Sequence, residues 1–183
     1  MRKGFEQRLE QANRELKRVA TLDPLTGVGN RMMCDEWLAD QPASTELNVI
    51  MLDIDHFKRI NDRFGHERGD QVLAAVAQCL KTKIGGNDLI VRWGGEEFLL
   101  ILPGVSPLRA HAIAESLRHA VEQLPLLPSE EPITLSLGVS TGSTESVNAT
   151  IGLADAALYQ AKRTGRNQSV ALTQSSEPDQ NMK

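Results

Sequence analysis

Two acidic points in this chain have the residue types and spacing to hold a divalent cation. Asp53 and Asp55 stand at the C-terminal end of the apolar run LNVIMLDI (47–54), and Glu96 and Glu97 follow the pair Gly94-Gly95. If these two segments are sheet neighbours, their carboxylates converge at one end of the sheet. Hard oxygen donors of this kind suit Mg²⁺, which takes one or two protein carboxylates and completes its octahedron with water and substrate phosphate. Side chains alternate along a strand, so Glu96 and Glu97 cannot both point the same way; the one still in the turn reaches the metal while its neighbour faces elsewhere. Each group also has a plainer reading. Asp55 is equally suited to cap the helix that follows it, Glu97 to be a solvated charge on an edge strand, and the two glycines to form a hairpin turn.

Asn61, His66 and Asp70 bracket the next helix and the loop after it. Asn and Asp together offer the donor and acceptor groups that a purine edge requires. They are also the residue types that commonly cap or end helices, which would leave His66 as a loop histidine. Lys162 and Arg166 sit four apart around Gly165. They are placed either to hold phosphates or simply to complement the dipole at a helix C-terminus.

The elements that must position these residues follow from periodicity. Residues 3–20 read as a helix, with Phe5, Leu9, Ala12, Leu16 and Val19 spaced 4, 3, 4, 3 as an a/d seam. Two heptads are short for a coiled coil, so the expected role is the end of a longer helical stalk, and the alternative is an amphipathic helix folded back on the body. Asp23-Pro24 ends the seam. DPLTGVGNR (23–31) is a turn-rich connector, from which Asn30 can cap a helix running to about Ala39. The nearly continuous apolar run at 47–54 predicts a central strand covered on both faces. A short helix with Phe57, Ile60 and Phe64 on one side follows, and the loop GHERGD leads to a helix from about Gln71 to Lys83.

Leu89–Trp93 and Glu96–Leu102 read as two strands joined by a two-residue turn, in which glycine tolerates positive φ. Pro107–Leu124 is helical. Ile133–Val139 alternates as a half-buried strand. A helix at 147–164 ends with Gly165 at a C′-like position, and a short strand spans Gln168–Leu172. The tail from Thr173 is polar and expected to be disordered. The order β-α-α-β-β-α-β, plus a further helix and strand, predicts an α+β ferredoxin-like or polymerase-palm arrangement: an open mixed sheet with helices packed on one face.

Composition narrows the function classes. Of 183 residues, 40% are hydrophobic and 24% charged, the proportions of one globular domain. No apolar run reaches the ~20 residues of a membrane span, and MRKGFEQRLE lacks the apolar region of a secretory signal. Cys34 and Cys79 read as two reduced thiols. Six Lys or Arg against three Glu leave residues 1–20 at +3, so a net charge of −4 puts the remainder at −7. A body of that sign disfavours DNA, and seven aromatics are too few for a single-strand stacking platform.

MLDIDHFKRINDRFGHERGD, RWGGEEF, ITLSLGVS and ALYQAKRTGRN, preceded by DPLTGVGNR, strongly resemble the GGDEF domain of diguanylate cyclases, here with the GGEEF form of the signature. The match runs from about Thr21 to Val170, which implies a nucleotidyl cyclase palm at 21–172, after a helical signalling linker at 1–20 and before a tail at 173–183. The resemblance also implies a reaction in which two GTP become cyclic di-GMP and two pyrophosphates. Mg²⁺, with Mn²⁺ as an alternative, would be held by the Asp53 and Glu96 side chains and the Ile54 carbonyl. Asn61 and Asp70 would read the guanine edge, with His66 adjoining. Phe57 and Lys58 belong to the segment whose backbone wraps the phosphates, and Lys162 and Arg166 would neutralise the β/γ phosphates. Glu96 or Glu97 would assist deprotonation of the attacking 3′-hydroxyl.

Because each domain holds one GTP, a homodimer is implied, through the N-terminal helix, facing active sites, or both. The catalytic portion is expected in the cytoplasm without membrane contact of its own, whatever anchors a full-length protein. In many relatives an RxxD product-binding site precedes the glycine pair. Here Asp88 is present, but Gly85 replaces the Arg, so feedback inhibition should be lost or weak. The competing readings are a catalytically silent GTP-binding or interaction module and a pure dimerisation element.

Overall fold

The computed structural model describes residues 2–128 and 131–173, with side chains from Glu6 onward; Phe5 of the apolar seam and positions 174–183 of the tail lie outside the described side chains. The apolar run is strand β1 (Glu46–Ile54), buried at every position after Glu46. A strand so poor in polar groups needs partners on both edges and cover on both faces. Strand β3 (Glu97–Pro103) and strand β4 (Leu135–Ser143) flank it antiparallel. Strand β2 (Leu89–Arg92) pairs antiparallel with β3, and β5 (Ser169–Leu172) parallel with β4. Among the described residues the sheet order is therefore β2-β3-β1-β4-β5.

Helices α1 (Arg2–Thr21), α2 (Arg31–Ala39), α3 (Phe57–Phe64), α4 (His66–Lys81), α5 (Pro107–Glu122) and α6 (Val147–Arg163) complete the α+β palm order expected from the pattern. They cover both faces of the sheet, which corrects the expectation of one. Period-two alternation sends Ile50, Leu52 and Ile54 into a core with Val72 and Val76 of α4 and Ala114 and Leu117 of α5. Leu47, Val49 and Met51 face the other way, toward Cys34 of α2 and Ala154 and Leu158 of α6. Each of the Val, Leu, Ile and Met side chains among these contributes roughly 1.5–3 kcal/mol by leaving water.

α6 lies so close to β4 that Gly138 has no room for a side chain: a Cβ there would overlap the Ala154 carbonyl and the Leu158 amide, both backbone. Gly138→Ala should therefore lower stability by about 1–3 kcal/mol, the usual cost of overpacking. Denaturant titration checks this, and an unchanged midpoint would mean that α6 can slide.

Local signals fare unevenly. Asn30 caps α2, its side chain accepting from the Met33 amide at 3.1 Å. Gly165 occupies the C′ position of α6 at φ 128°, and the 6→1 bond of a Schellman turn runs from the Arg166 amide to the Ala161 carbonyl at 2.9 Å. The segment GHERGD is not a loop. Gly65, at φ 86°, turns the chain between α3 and α4 in one residue, so the longer helix starts at His66. The hairpin glycines also differ from expectation. Neither Gly94 nor Gly95 has positive φ, and a four-residue connection is closed by the Trp93 amide donating to the Glu97 carbonyl at 2.8 Å. Gly94 is needed for space, since the Glu97 carboxylate occupies the volume a Cβ would take. α1 does not fold back on the body: Leu9, Leu16 and Val19 are exposed along its length.

Candidate active site

The two acidic points meet as the sheet places them. Asp53 sits opposite Glu97 in the β1–β3 register, and the Ile54 amide donates to the Glu96 carbonyl at 3.3 Å. The turn is thus stitched to the end of β1. Glu97 begins an interior strand rather than an edge one, because β2 lies outside β3. The Asp53 carboxylate is buried and receives Lys162 Nζ at 2.8 Å. Burial pushes its pKa up to about 6; Lys162 acts against that rise, while the neighbouring Glu96 and Glu97 carboxylates add to it.

Glu96 and Glu97 serve different spaces. Glu96 lines a cavity of about 310 Å³ together with Phe57, Lys58, Asn61, His66, Asp70 and Arg92. Glu97 lines a second cavity of about 400 Å³ with Lys162, Asp155 and Tyr159 on α6. The Gly65 turn is what brings α3 and α4 together at the first cavity. His66 and Asp70, four apart, share one face of α4. Asn61 lies inside α3 and Asp70 inside α4, so neither side chain is a cap. Gly69 of α4 packs directly on Asn61, where a Cβ would overlap Oδ1. That oxygen is buried without a hydrogen-bond partner, an arrangement that a polar ligand would relieve.

Of the residues singled out from sequence, the first cavity gathers Phe57, Lys58, Asn61, His66, Asp70 and Glu96, while Lys162 joins Asp53 and Glu97. Arg166 lines neither cavity; it is exposed on the turn after α6. Lys58 extends into solvent and pairs with Asp62 at 3.0 Å. Asp55 is not the cap of α3. That position belongs to His56, in the left-handed region at φ 55° with no side-chain cap bond. The Asp55 carboxylate is buried instead and accepts three hydrogen bonds from residues distant in sequence.

Sequence gives Asp23 only a helix-ending role and Arg92 none, yet together they brace the acidic turn. The Arg92 guanidinium donates to the Gly95 carbonyl at 2.8 and 3.1 Å and to Asp23 at 3.2 Å. Burial alone would raise the Asp23 pKa, but hydrogen bonds from the Thr26 hydroxyl and amide and the charge of Arg92 outweigh it and hold the carboxyl below its ordinary range. A charged residue within the apolar strand LIVR was the one available signal. The connector continues the bracing: Gly29 bridges both Leu22 and Val91, and Arg31 donates to the Trp93 carbonyl at 3.0 Å while lying over the Trp93 ring.

No group of three His, Cys, Asp or Glu among the described residues forms a closed metal cage. Mg²⁺ does not require one. Asp53 and Glu96 are hard donors, and the repulsion that Glu96 and Glu97 exert on Asp53 is what a divalent cation would cancel; the donor set fits such an ion.

A family model described as diguanylate cyclase, GGDEF domain, matches residues 20–168. The probable diguanylate cyclase DgcT of Escherichia coli (strain K12) is 40% identical over 168 residues, covering 87% of this chain and 37% of that protein. Diguanylate cyclase VdcA of Vibrio cholerae is 38% identical over 172 residues, covering 90% of this chain and 51% of its own. The chain thus spans between about a third and a half of these two relatives. Among solved structures, the coiled coil and GGDEF domain of DgcB from Caulobacter crescentus, in complex with c-di-GMP, superposes with a TM-score of 0.83 at 32% identity, covering 93% of this chain and 95% of that one.

Proposed function

This chain belongs to the GGDEF-domain family of diguanylate cyclases, and we propose that it condenses two molecules of GTP into cyclic di-GMP with release of two pyrophosphates. The observation that carries the reading is the double placement of Glu96. Its side chain lines the cavity formed by Asn61, His66 and Asp70, and its charge raises the pKa of Asp53. This supports a base pocket and a cation site that share one residue, an arrangement that suits a nucleoside triphosphate.

Asn61 and Asp70 read the guanine edge, with His66 beside them, and the backbone of Phe57 and Lys58 wraps the phosphates. Lys162 and Arg166 neutralise the β/γ phosphates, with Lys162 exchanging Asp53 for phosphate oxygen when substrate arrives. Asp53, Glu96 and the Ile54 carbonyl would hold Mg²⁺ or Mn²⁺, which supplies charge neutralisation at the phosphate oxygens. In the reaction the 3′-oxygen of one GTP bonds to the α-phosphorus of the other in line, and the bond from that phosphorus to the bridging oxygen breaks. The hydroxyl proton passes to a carboxylate of the Glu96-Glu97 pair, while Lys162 and Arg166 stabilise charge gathering on pyrophosphate.

One domain holds one GTP, so two domains must face each other. The exposed seam of Leu9, Leu16 and Val19 on α1 supports pairing with a second copy. Cytoplasmic action fits the substrate. No helix among the described residues is long and apolar enough to cross a membrane. Incubation with GTP and Mg²⁺, with chromatography for product and pyrophosphate, should show specific activity rising with protein concentration. GTP binding without product would assign a silent module instead, and absence of nucleotide binding would leave a dimerisation element.

Inhibition by product should be weak. Gly85 supplies no guanidinium, and its amide donates to Asp88 Oδ2 at 2.6 Å, so the surviving acid of the RxxD pattern closes a local turn. Titration with cyclic di-GMP is expected to leave turnover nearly unchanged. Tight binding that Asp88→Ala abolishes, with activity falling in parallel, would refute this.

A further inference from the structure

We propose that Asp55 is a positioning residue: its buried carboxylate latches the turn after α6 so that Arg166 is presented to the triphosphate. The proposal rests on the phosphate role given to Arg166 above. Asp55 is 5% exposed, and no cation pairs with it among the described residues. Its charge is satisfied by three oriented donors: Ser136 Oγ at 2.6 Å on Oδ1, and Thr134 Oγ1 at 2.7 Å and the Asn167 amide at 3.1 Å on Oδ2. A carboxylate left in the interior with only such donors is costly to bury, and what it acquires here is a fixed point for the backbone of residue 167.

That backbone needs fixing. Gly165, Arg166 and Asn167 follow one another at φ 128°, 64° and 44°. Two successive non-glycine residues in the left-handed region persist only where their surroundings over-determine them. The Arg166 amide is held by the Ala161 carbonyl at 2.9 Å. Asn167 is held on three sides: its amide by Asp55, its Oδ1 by Arg118 at 2.7 Å, and its Nδ2 by Glu122 at 3.0 Å. Arg118 is itself buried and clamped by Glu115 and Glu122 on the same helix.

These anchors are spent on the backbone and on Asn167, and the Arg166 side chain stays exposed. The latch aims Arg166 without occupying it. The end of β1 thereby holds the C-terminal end of α6 at two points, Asp53 taking the Lys162 ammonium and Asp55 the amide of the turn. Asp53 lies within β1 and Asp55 in the turn directly after it, so one short stretch of chain supplies both contacts.

The test is a double-mutant cycle on the full chain, with GTP as the probe, and a second readout that needs no nucleotide. Asp55→Ala should raise KM for GTP roughly tenfold, an effect seen in the substrate term when a phosphate contact is lost. Asp55→Asn should recover most of it, because its carbonyl oxygen can serve Thr134 and Asn167 while its amide donates to the Ser136 hydroxyl. In an Arg166→Ala background, Asp55→Ala should add less than about threefold, since contacting groups acting as one unit are not additive. Hydrogen exchange of the Asn167 amide should quicken in Asp55→Ala and not in Asp55→Asn. If Asp55→Ala does not fold, Asp55→Ser replaces it throughout. Additive effects on KM, or unchanged exchange at Asn167, would overturn the latch alone. An Arg166→Ala variant with unaltered KM would overturn the phosphate assignment and this proposal together.

Discussion

Replacing Glu96 by alanine should reduce cyclic di-GMP formation by roughly 10³-fold or more, while thermal unfolding moves by only about 1–2 °C. The two halves of this expectation have separate causes. Glu96 serves the fold through its backbone, whose carbonyl accepts from the Ile54 amide, and alanine retains that bond. The side chain is half-buried, lines the first cavity and makes no hydrogen bond to the described residues, so truncation leaves none of them unsatisfied. Its charge, by contrast, is half of the carboxylate pair proposed to hold the cation beside the phosphates. Turnover measured at saturating GTP and Mg²⁺, alongside a melting curve, checks both halves. Full activity in the variant would remove Glu96 from the site.

Lys162→Met should make stability strongly dependent on pH when neither metal nor nucleotide is added. In the parent protein the Asp53 carboxyl titrates at about 6 against an ordinary value of 3.8. The folded state therefore binds its proton more tightly than the unfolded chain does. That contribution is fully present below about pH 3.8 and is lost as pH rises through about 6, by an amount on the order of 3 kcal/mol. Lys162 opposes the rise, so removing it shifts the window to higher pH and deepens the loss above it. At pH 8 the variant should be less stable by about 1–3 kcal/mol, allowing for the solvent that reaches the ammonium; at pH 4 the two proteins should nearly coincide. A difference that stays constant between pH 4 and pH 8 would show that Lys162 acts through packing of its stem and not through Asp53.

What could be read from the sequence was whatever short segments decide for themselves. The run at 47–54 has no polar alternation, so a central strand was legible, as were the Asn30 cap and the Gly165 C′ stop. The candidate site was legible to the extent that Asn61, His66, Asp70 and Glu96 fall in short segments whose spacing survives folding. Glycine was the ambiguous letter. At Gly65 it makes a one-residue corner where a longer loop was expected, and at Gly94 it makes room for a carboxylate where a positive φ was expected. The contacts that could not be read are long-range ones between residues of ordinary type. Asp23 and Arg92 are 69 positions apart, and Asp55 meets Ser136 at 81 and Asn167 at 112. Local pattern offers Asp55 as a cation ligand or a helix cap and not as a latch, because the donors that claim it belong to β4, to Thr134 just before it and to the turn after α6.

The bracing of Arg92 between Asp23 and the Gly95 carbonyl bears on how such a domain can be recombined with others. Among the described residues, every bond that ties the connector to the acidic turn is made at or after Leu22; the end of α1 is held by Asn30, which donates to the carbonyls of Ala20 and Thr21, and by the ion pair of Lys17 with Glu36 at 3.1 Å. A foreign helix grafted upstream of Ala20 removes the exposed Lys17–Glu36 pair and leaves the rest of this harness intact, so what it hands on is its rotational phase. Chimeras differing by single-residue insertions in α1, about 100° of rotation each, would then cycle between permissive and silent pairings with a period near 3.6 insertions, while the melting temperature of the domain below them stays level.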